Sequence, residues 1–231
     1  MQIESVHQFL SYAAENYFEE PRGKWVFRCH SDSSYELIPS VGRDKHTSKS
    51  RAKYESSLFE IFCREARGYL TTTPTTEWEW LALAQHHGLP TRLLDWTANP
   101  LVALYFAVEA NQSVDGELFA LRAIAKVSES IQNSSPFSIT KPVKFYPNVV
   151  TPRIRAQEAV FVVCSDVEKP LDQDLRKDWK IEKLRVPAEK KESLRYELFR
   201  IGIHASFLFP DITGLSARLK WQHTVSPLTP A

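Results

Sequence analysis

The sequence has little glycine, and it lacks the glycine motifs of the common nucleotide-binding folds. Its 231 residues include 7 glycines. No Gly-x-Gly-x-x-Gly run, no Walker A run and no Gly-x-Ser-x-Gly elbow occurs among them. These motifs bring the backbone close to a phosphate or present a nucleophilic serine. Their absence sets aside the common dinucleotide folds, the P-loop folds and the serine hydrolases.

Cysteine is scarce as well, and the histidines are not spaced as metal ligands. Cys29, Cys63 and Cys164 are odd in number and far apart in the sequence. They match neither a disulfide framework nor a zinc pattern, so we expect free thiols in a reducing compartment. None of the 7 histidines stands in a His-Glu-x-x-His run, and neighbouring His86 and His87 would point to different faces. The sequence predicts no metal site.

An excess of charge of one sign and long apolar runs are both missing. The 29 Lys and Arg residues against 28 Asp and Glu residues leave a net charge of +1. Such a chain has no long-range field to draw it to nucleic acid, so a generic nucleic-acid coat is disfavoured. No run approaches the about 20 apolar residues of a membrane span, and the first residues lack the basic and apolar regions of a signal peptide. We expect a cytoplasmic protein that does not contact a membrane.

The composition that remains is that of a globular protein, with 43% hydrophobic and 25% charged residues. Hydrophobic periodicity and turn residues predict alternating helices and strands. The predicted helices are 3–17, 54–70, 77–88, 100–111, one from 187 and one from about 211; the predicted strands are 24–29, 117–123, 158–164, 180–186 and 203–209. No repeat and no linker divides the chain. We therefore predict one α+β domain over residues 1–231, a mixed sheet with flanking helices.

The densest group of polar residues lies at 85–100, between two apolar helices. Gly88 is a predicted helix stop, and Asn99 before Pro100 is a predicted N-cap. One interpretation is structural, with Arg92 and Asp95 paired to satisfy each other. The other is functional, with both residues partly desolvated on the floor of a ligand cleft.

Arg28 is a second candidate, because it lies in the middle of a predicted strand. Its planar fork suits a phosphate or a carboxylate. The alternative is an ion pair across the sheet with a residue such as Glu158, which itself follows a basic segment and begins a predicted strand. Trp78 and Trp80, two apart on a predicted helix, are expected to lie in the core rather than to stack on bases.

Residues 80–107 closely resemble the signature of the FRG-domain family, which is named for a Phe/Tyr-Arg-Gly motif. The resemblance extends to other segments, with a signature core at about 20–220. Those segments are Phe27-Arg28, Leu37-Ile38-Pro39-Ser40 with Arg43, Arg153-Ile154 with Gln157 and Phe161, and Gly202-Ile203 with Phe209-Pro210-Asp211 and Gly214. The chain departs from the family at Cys29, where the name calls for glycine, and at Ala159, where a glycine is common.

A weaker resemblance is to ADP-ribosyltransferases of the Arg-Ser-Glu type. These enzymes carry an arginine on an early strand, a Ser-Thr-Ser strand followed by a helix, and a strand with a glutamate near the end. This chain has Arg28, then Thr97, then Gln157 and Glu158 in the same order. Only Thr97 keeps a hydroxyl, and Gln157, Glu158 or Ala159 occupies the position of the glutamate. The resemblance implies an ADP-ribosyltransferase-like fold.

The same resemblance implies NAD as the substrate, with no metal. Arg28 would bind the pyrophosphate or the adenosine ribose, and Thr97 the nicotinamide ribose. Glu158, or Gln157 in its place, would polarise a ribose hydroxyl and stabilise the charge that develops as nicotinamide leaves. The remaining members of the implied cofactor-binding set are His86, Arg92 and Asp95.

Three classes of function follow. An enzyme that uses NAD would transfer ADP-ribose to a macromolecular acceptor or hydrolyse NAD with water, and it would serve as a toxin or a phage-defence effector. The alternative is a noncatalytic module that binds a nucleotide, a nucleic acid or a protein partner through the same cleft. The third class is a purely structural domain.

Overall fold

A six-stranded sheet forms the centre of the protein. The computed structural model describes residues 1–43, 50–148 and 151–224. The strands are β1 Trp25–His30, β2 Leu93–Thr97, β3 Gly116–Arg122, β4 Val143–Phe145, β5 Ala159–Val163 and β6 Lys180–Val186. Their order across the sheet is β4-β5-β2-β1-β3-β6.

Helices cover the sheet and connect its strands. Their bounds are α1 Val6–Asn16, α2 Ser40–Arg43, α3 Arg51–Glu65, α4 Glu77–His86, α5 Pro100–Val108, α6 Glu129–Gln132, α7 Pro152–Ala156, α8 Lys191–Arg200, α9 Ala205–Leu208 and α10 Ile212–Thr224. Neighbouring strands all pair antiparallel. Parallel pairing in the described residues is confined to two isolated bridges, Gln2 with Arg185 and Lys126 with Lys144. The predicted α+β class is confirmed, but the predicted mixed sheet is wrong, because its neighbouring strands are all antiparallel.

The side chains of β1 alternate between two hydrophobic clusters. Trp25 and Phe27 pack in a cluster with residues of α1, α5 and α8. Val26 packs on the opposite face with Leu94 and Phe119. This alternation is the period of two that a strand imposes on its side chains. Arg28 and His30 therefore share the face of Val26.

The start of α5 confirms the predicted cap. The Asn99 Oδ1 accepts hydrogen bonds from the backbone N–H groups of Leu101 at 3.0 Å and Val102 at 3.4 Å. Pro100 occupies the first turn, where its missing N–H costs no hydrogen bond. Ala103 and Ala107 are buried and let the helix lie close to the sheet. One end of α5 is thereby fixed beside β2.

Two other sequence predictions hold near α4. Gly88 follows the helix with a φ of +85°, a conformation that favours glycine, and it ends α4 as expected. Trp78 and Trp80 are both buried in a third cluster with Phe145 and Phe161. Their expected place in the core is confirmed.

The predicted strand at 203–209 is wrong. The segment instead forms the short helix α9, capped by the His204 Nδ1, which accepts from the backbone N–H of Phe207 at 3.2 Å. Ala205 and Leu208 are buried in the same cluster as α5. A short apolar run fits a buried helix turn as well as a strand, and the capping side chain decides between them.

Strand β4 lies between β3 and β5, in a segment for which no strand was predicted. The three cysteines, all in described parts of the chain, are unpaired as predicted. No described helix is long and apolar enough to cross a membrane. The described residues also include no group of three or more His, Cys, Asp or Glu side chains placed to hold a metal ion.

Candidate functional site

A cavity opens where β1 and β2 separate. Strand β1 pairs with β3 along its whole length, but with β2 it pairs only at Phe27 and Thr97. The cavity beyond this pair has a volume of about 370 Å³. Its polar lining is Ser31, Tyr35, Arg28, His30, Arg43, Gln85, His86, Asp95, Thr97, Arg153 and Gln157, and its apolar lining includes Trp96, Val102, Ala103, Phe106, Ile154 and Phe161. We call this cavity the cleft.

Arg28 reaches across the gap between the two strands. Its Nη1 donates to the backbone carbonyl oxygen of Asp95 at 2.6 Å. Its Nε lies 3.4 Å from the His30 Nε2. The side chain is 16% exposed, and burial lowers the pKa of Arg28, although a guanidinium keeps its proton in proteins. Arg28 is therefore a fixed positive charge whose Nη2 has no hydrogen-bond partner in the described parts of the chain.

The ion pair between Arg28 and Glu158, which was the alternative to a ligand-binding Arg28, does not form. The nearest carboxylate oxygen to the Arg28 Nη1 is the Asp95 Oδ2, at 4.0 Å. Glu158 instead pairs with Arg22, whose side chain is 76% exposed. The backbone of Glu158 lies in the left-handed region with a φ of +45°, which is uncommon for residues other than glycine.

His30 supports Arg28 as a neutral side chain. Its Nδ1 lies 3.0 Å from the backbone carbonyl oxygen of Tyr35, so we assign the ring proton to Nδ1. Nε2 is then an acceptor for the Arg28 N–H. Burial, followed by the charge of Arg28, lowers the pKa of His30 to about 4. Sequence reasoning missed His30, although its position two residues after Arg28 on one strand places both on the same face.

Asp95 is held in the cleft by a chain of polar side chains. The Gln85 Nε2 donates to the Asp95 Oδ2 at 3.0 Å. The Thr91 Oγ1 donates in turn to the Gln85 Oε1 at 2.6 Å, and it accepts from the backbone N–H of Leu93 at 3.1 Å. Thr91 is fully buried. Sequence reasoning singled out Asp95 but assigned no role to Gln85 or Thr91.

Two more arginines complete the positive lining of the cleft. Arg43 ends α2, and Arg153 lies on α7 with its guanidinium carbon 4.6 Å from the centre of the Phe209 ring. Burial lowers the pKa of His86, which favours its neutral form. Three arginines against the single carboxylate of Asp95 leave two positive charges in the described lining. The cleft therefore favours anions.

Thr97 and Gln157 lie in the cleft lining but use their polar groups within the protein. The Thr97 Oγ1 donates to the backbone carbonyl oxygen of Gln157 at 2.7 Å and accepts from the backbone N–H of Asn99 at 3.0 Å. The Gln157 Nε2 donates to the backbone carbonyl oxygen of Leu208 at 3.2 Å. Gln157 thus links the start of β5 to α9, while the neighbouring Glu158 is not part of the lining.

Arg92 lies outside the cleft, and its predicted pairing with Asp95 is wrong. It is buried in an ion pair with Glu55, with 2.8 Å between Nη2 and Oε2. The Glu55 Oε1 also accepts from the backbone N–H of Arg92 at 2.6 Å. Arg92 precedes β2, and its side chain turns to Glu55 on α3 and to the Phe137 ring, whose centre lies 4.8 Å from the guanidinium carbon. The structural interpretation holds for Arg92, with a different partner.

Both positions where the chain departs from the FRG pattern line the cleft. Cys29 and Ala159 each place a side chain where the family carries or favours glycine. Burial raises the pKa of the Cys29 thiol well above its usual value, so the sulfur stays protonated at neutral pH. The two side chains narrow the cleft without adding charge.

The comparisons with known proteins give one match. Residues 23–116 match the family model of the FRG domain. This segment runs from the turn before β1 to the start of β3, and it includes Arg28, Arg43 and Asp95 of the cleft. No curated protein and no solved structure matches the chain. The resemblance to ADP-ribosyltransferases stays a prediction. The expected FRG resemblance is confirmed for residues 23–116, where the chain carries an FRG domain, and the extension of the signature to about 220 stays a prediction.

Proposed function

We propose that the cleft of this FRG domain binds a phosphate-bearing nucleotide, with NAD as the first ligand to test. The observation that carries the proposal is the convergence of Arg28, Arg43 and Arg153 on one cavity. Guanidinium groups bind phosphate oxygens through parallel hydrogen bonds. Arg28 is prepared for this role, because its Nε and one Nη1 proton are used by the protein while Nη2 is left for a ligand.

The apolar part of the lining suits the remainder of a nucleotide. Trp96, Phe106 and Ile154 border the same cavity as the arginines. Cofactor sites combine such apolar walls with a few polar groups that fix orientation. A phosphate at the arginines and a base or ribose against the apolar wall would use both parts of the lining.

Calorimetric titration with NAD, ADP-ribose and inorganic pyrophosphate tests the proposal. We expect binding of all three, and Arg28→Gln should weaken each by about tenfold to a hundredfold, the usual effect of losing a charge-assisted hydrogen bond. Arg28→Lys should recover little of the affinity, because an ammonium group lacks the fork. Arg64→Gln is the matched control, since Arg64 is 71% exposed and lies on α3 away from the cleft. If folded wild-type protein binds none of the three ligands, the proposal is refuted.

Cleavage of NAD is the second candidate function, and one observation favours it. Arg28, Thr97 and Gln157-Glu158 lie on or beside β1, β2 and β5, which are three adjacent strands. The ADP-ribosyltransferase resemblance rests on the order of these residues along the chain, and their place on adjacent strands supports it. The bond between nicotinamide and ribose would break, and the ADP-ribosyl group would pass to water or to a macromolecular acceptor. Glu158 would first have to leave Arg22.

Nicotinamide release separates the enzyme from the binding module. An enzyme should release nicotinamide from NAD, with or without added cell lysate as the source of an acceptor, and the rate should fall at least about tenfold in Glu158→Gln. Glu168→Gln is the matched control, because Glu168 pairs with Arg51 on the surface. Binding of NAD without release would identify the noncatalytic module.

A role as a toxin or defence effector would follow from NAD consumption. Induced expression should then lower cellular NAD and arrest growth, and Arg28→Gln should abolish both effects. Growth arrest that persists in Arg28→Gln at equal protein level would count against this role.

A further inference from the structure

Asp95 contributes a carboxylate to a lining that is otherwise positive. It is the one acidic side chain among the described residues of the cleft lining, and it is 64% exposed. Its distance of 4.0 Å from the Arg28 Nη1 is long for an ion pair, and that nitrogen donates to the Asp95 backbone instead. The carboxylate therefore forms no hydrogen bond with Arg28 and remains available to a ligand.

Gln85 and Thr91 hold the Asp95 carboxylate in its orientation. Gln85 occupies Oδ2, and the buried Thr91 fixes the Gln85 amide by donating to its oxygen. The Gln85 oxygen accepts the hydrogen bond from Thr91, so the Gln85 amide nitrogen faces Asp95. In the described parts of the chain, Oδ1 has no hydrogen-bond partner. The cleft thus holds one oriented acceptor beside one oriented guanidinium.

This pair of groups selects the chemistry of the ligand. A carboxylate repels a phosphate but accepts hydrogen bonds from hydroxyl groups, while three arginines disfavour a cationic ligand. A ligand that meets both requirements carries an anionic group next to neutral hydroxyl donors. The phosphate and ribose of a nucleotide have this arrangement.

We propose that Asp95 accepts hydrogen bonds from the ribose hydroxyls of the nucleotide whose phosphates contact Arg28, with Gln85 and Thr91 as positioning residues. The inference rests on the proposed function and narrows it to nucleotides with a free 2′,3′-diol. It assigns to Asp95 the selection of ribose over deoxyribose, which neither the family match nor the sequence signature indicates.

Titration with ADP, 2′-deoxy-ADP, 3′-deoxy-ADP and inorganic pyrophosphate tests the inference. Wild-type protein should bind ADP about tenfold more tightly than either deoxy analogue, since each analogue lacks one hydrogen bond to a charged group. In Asp95→Ala this preference should disappear. Pyrophosphate should bind Asp95→Ala several-fold more tightly, because a negative charge next to Arg28 is removed.

The positioning role of Gln85 has its own readout. Gln85→Leu keeps the size of the side chain but removes the amide, and it should reduce the ADP to 2′-deoxy-ADP preference several-fold, in addition to the loss of stability from leaving the buried Thr91 hydroxyl without its acceptor. Gln112→Leu is the matched control, since Gln112 is exposed and bonds only the Val108 carbonyl in the described structure. A purely structural Gln85 would lower stability and leave the preference as it is.

The outcomes separate this inference from the function on which it rests. If wild-type protein binds neither ADP nor pyrophosphate, the proposed function fails and the inference fails with it. If ADP binds but the deoxy analogues bind equally well, or if the preference survives in Asp95→Ala, the inference alone is overturned. Asp95→Asn keeps the shape of the side chain and serves if Asp95→Ala does not fold; it should show a reduced preference.

Discussion

The stability of the protein should fall between pH 6.5 and pH 4 because of His30. Burial and the neighbouring Arg28 lower the pKa of its imidazole to about 4 in the folded state, against about 6.5 in an unfolded chain. Between these values the unfolded state binds more protons than the folded state. The free energy of unfolding therefore decreases as the pH falls through this window, and His30 has no effect above it.

The magnitude follows from the two pKa values. Each unit of separation is worth about 1.4 kcal/mol, so His30 should cost about 2 kcal/mol on going from pH 7.5 to pH 5 and about 3 kcal/mol once the pH is below 4. His30→Gln cannot titrate, and its amide still places a donor near the Tyr35 carbonyl oxygen. The variant should lose about 2 kcal/mol less than wild type over the same pH range.

Urea unfolding at pH 7.5 and pH 5 measures this difference. The other titrating groups are common to both proteins, so their contributions cancel in the comparison. An equal loss of stability in wild type and His30→Gln would refute the reasoning, because it would mean that His30 is protonated equally easily in both states.

Three further predictions concern structure away from the arginines of the cleft. Glu55→Gln leaves Arg92 buried without a carboxylate and should lower the free energy of unfolding by about 3–5 kcal/mol in urea unfolding; a loss below about 1 kcal/mol would contradict the ion pair. In Gly88→Ala the added Cβ meets no atom within 4 Å, but alanine is strained at a φ of +85°, so the variant should be less stable by about 1–2 kcal/mol and melt at a lower temperature. An unchanged melting temperature would argue against the positive φ at this position. Burial lowers the pKa of Lys144 to about 8 from 10.5, so the unfolded state binds more protons between these values and stability should rise with pH there. The rise from pH 8 to pH 9 should be about 1 kcal/mol greater in wild type than in Lys144→Met; equal pH profiles in urea unfolding would exclude a lowered pKa.

Local sequence signals predicted those parts of the fold that depend on a few adjacent residues. Asn99 with Pro100 determines the start of α5, and Gly88 determines the end of α4, because capping involves groups within one turn. The short apolar segment of α9 was mispredicted, since its hydrophobicity fits either element and a single capping residue, His204, decides the outcome.

The candidate site was predictable where strand neighbours form it. Arg28, Asp95 and Thr97 lie in the cleft because β1 and β2 are adjacent at the centre of the sheet. The partner of Arg92 was not predictable, because Glu55 is 37 residues away in sequence. Glu158 points to Arg22 because its own backbone has a positive φ. The sequence gives no sign of this, since neither glycine nor asparagine occupies the position.

The narrow contact between β1 and β2 makes the sheet resemble two leaves of a hinge. One leaf is β4-β5-β2 and the other is β1-β3-β6. Between β2 and β1 the strand pairing is limited to Phe27 with Thr97, and Arg28 adds a hydrogen bond to the Asp95 carbonyl oxygen. A ligand that touches both Arg28 and Asp95 would pin one leaf to the other. Amide hydrogen exchange in β1 and β2 should then slow together when the ligand binds. Ligand binding in the cleft could thus be detected as slower amide exchange on both sides of the contact between β1 and β2.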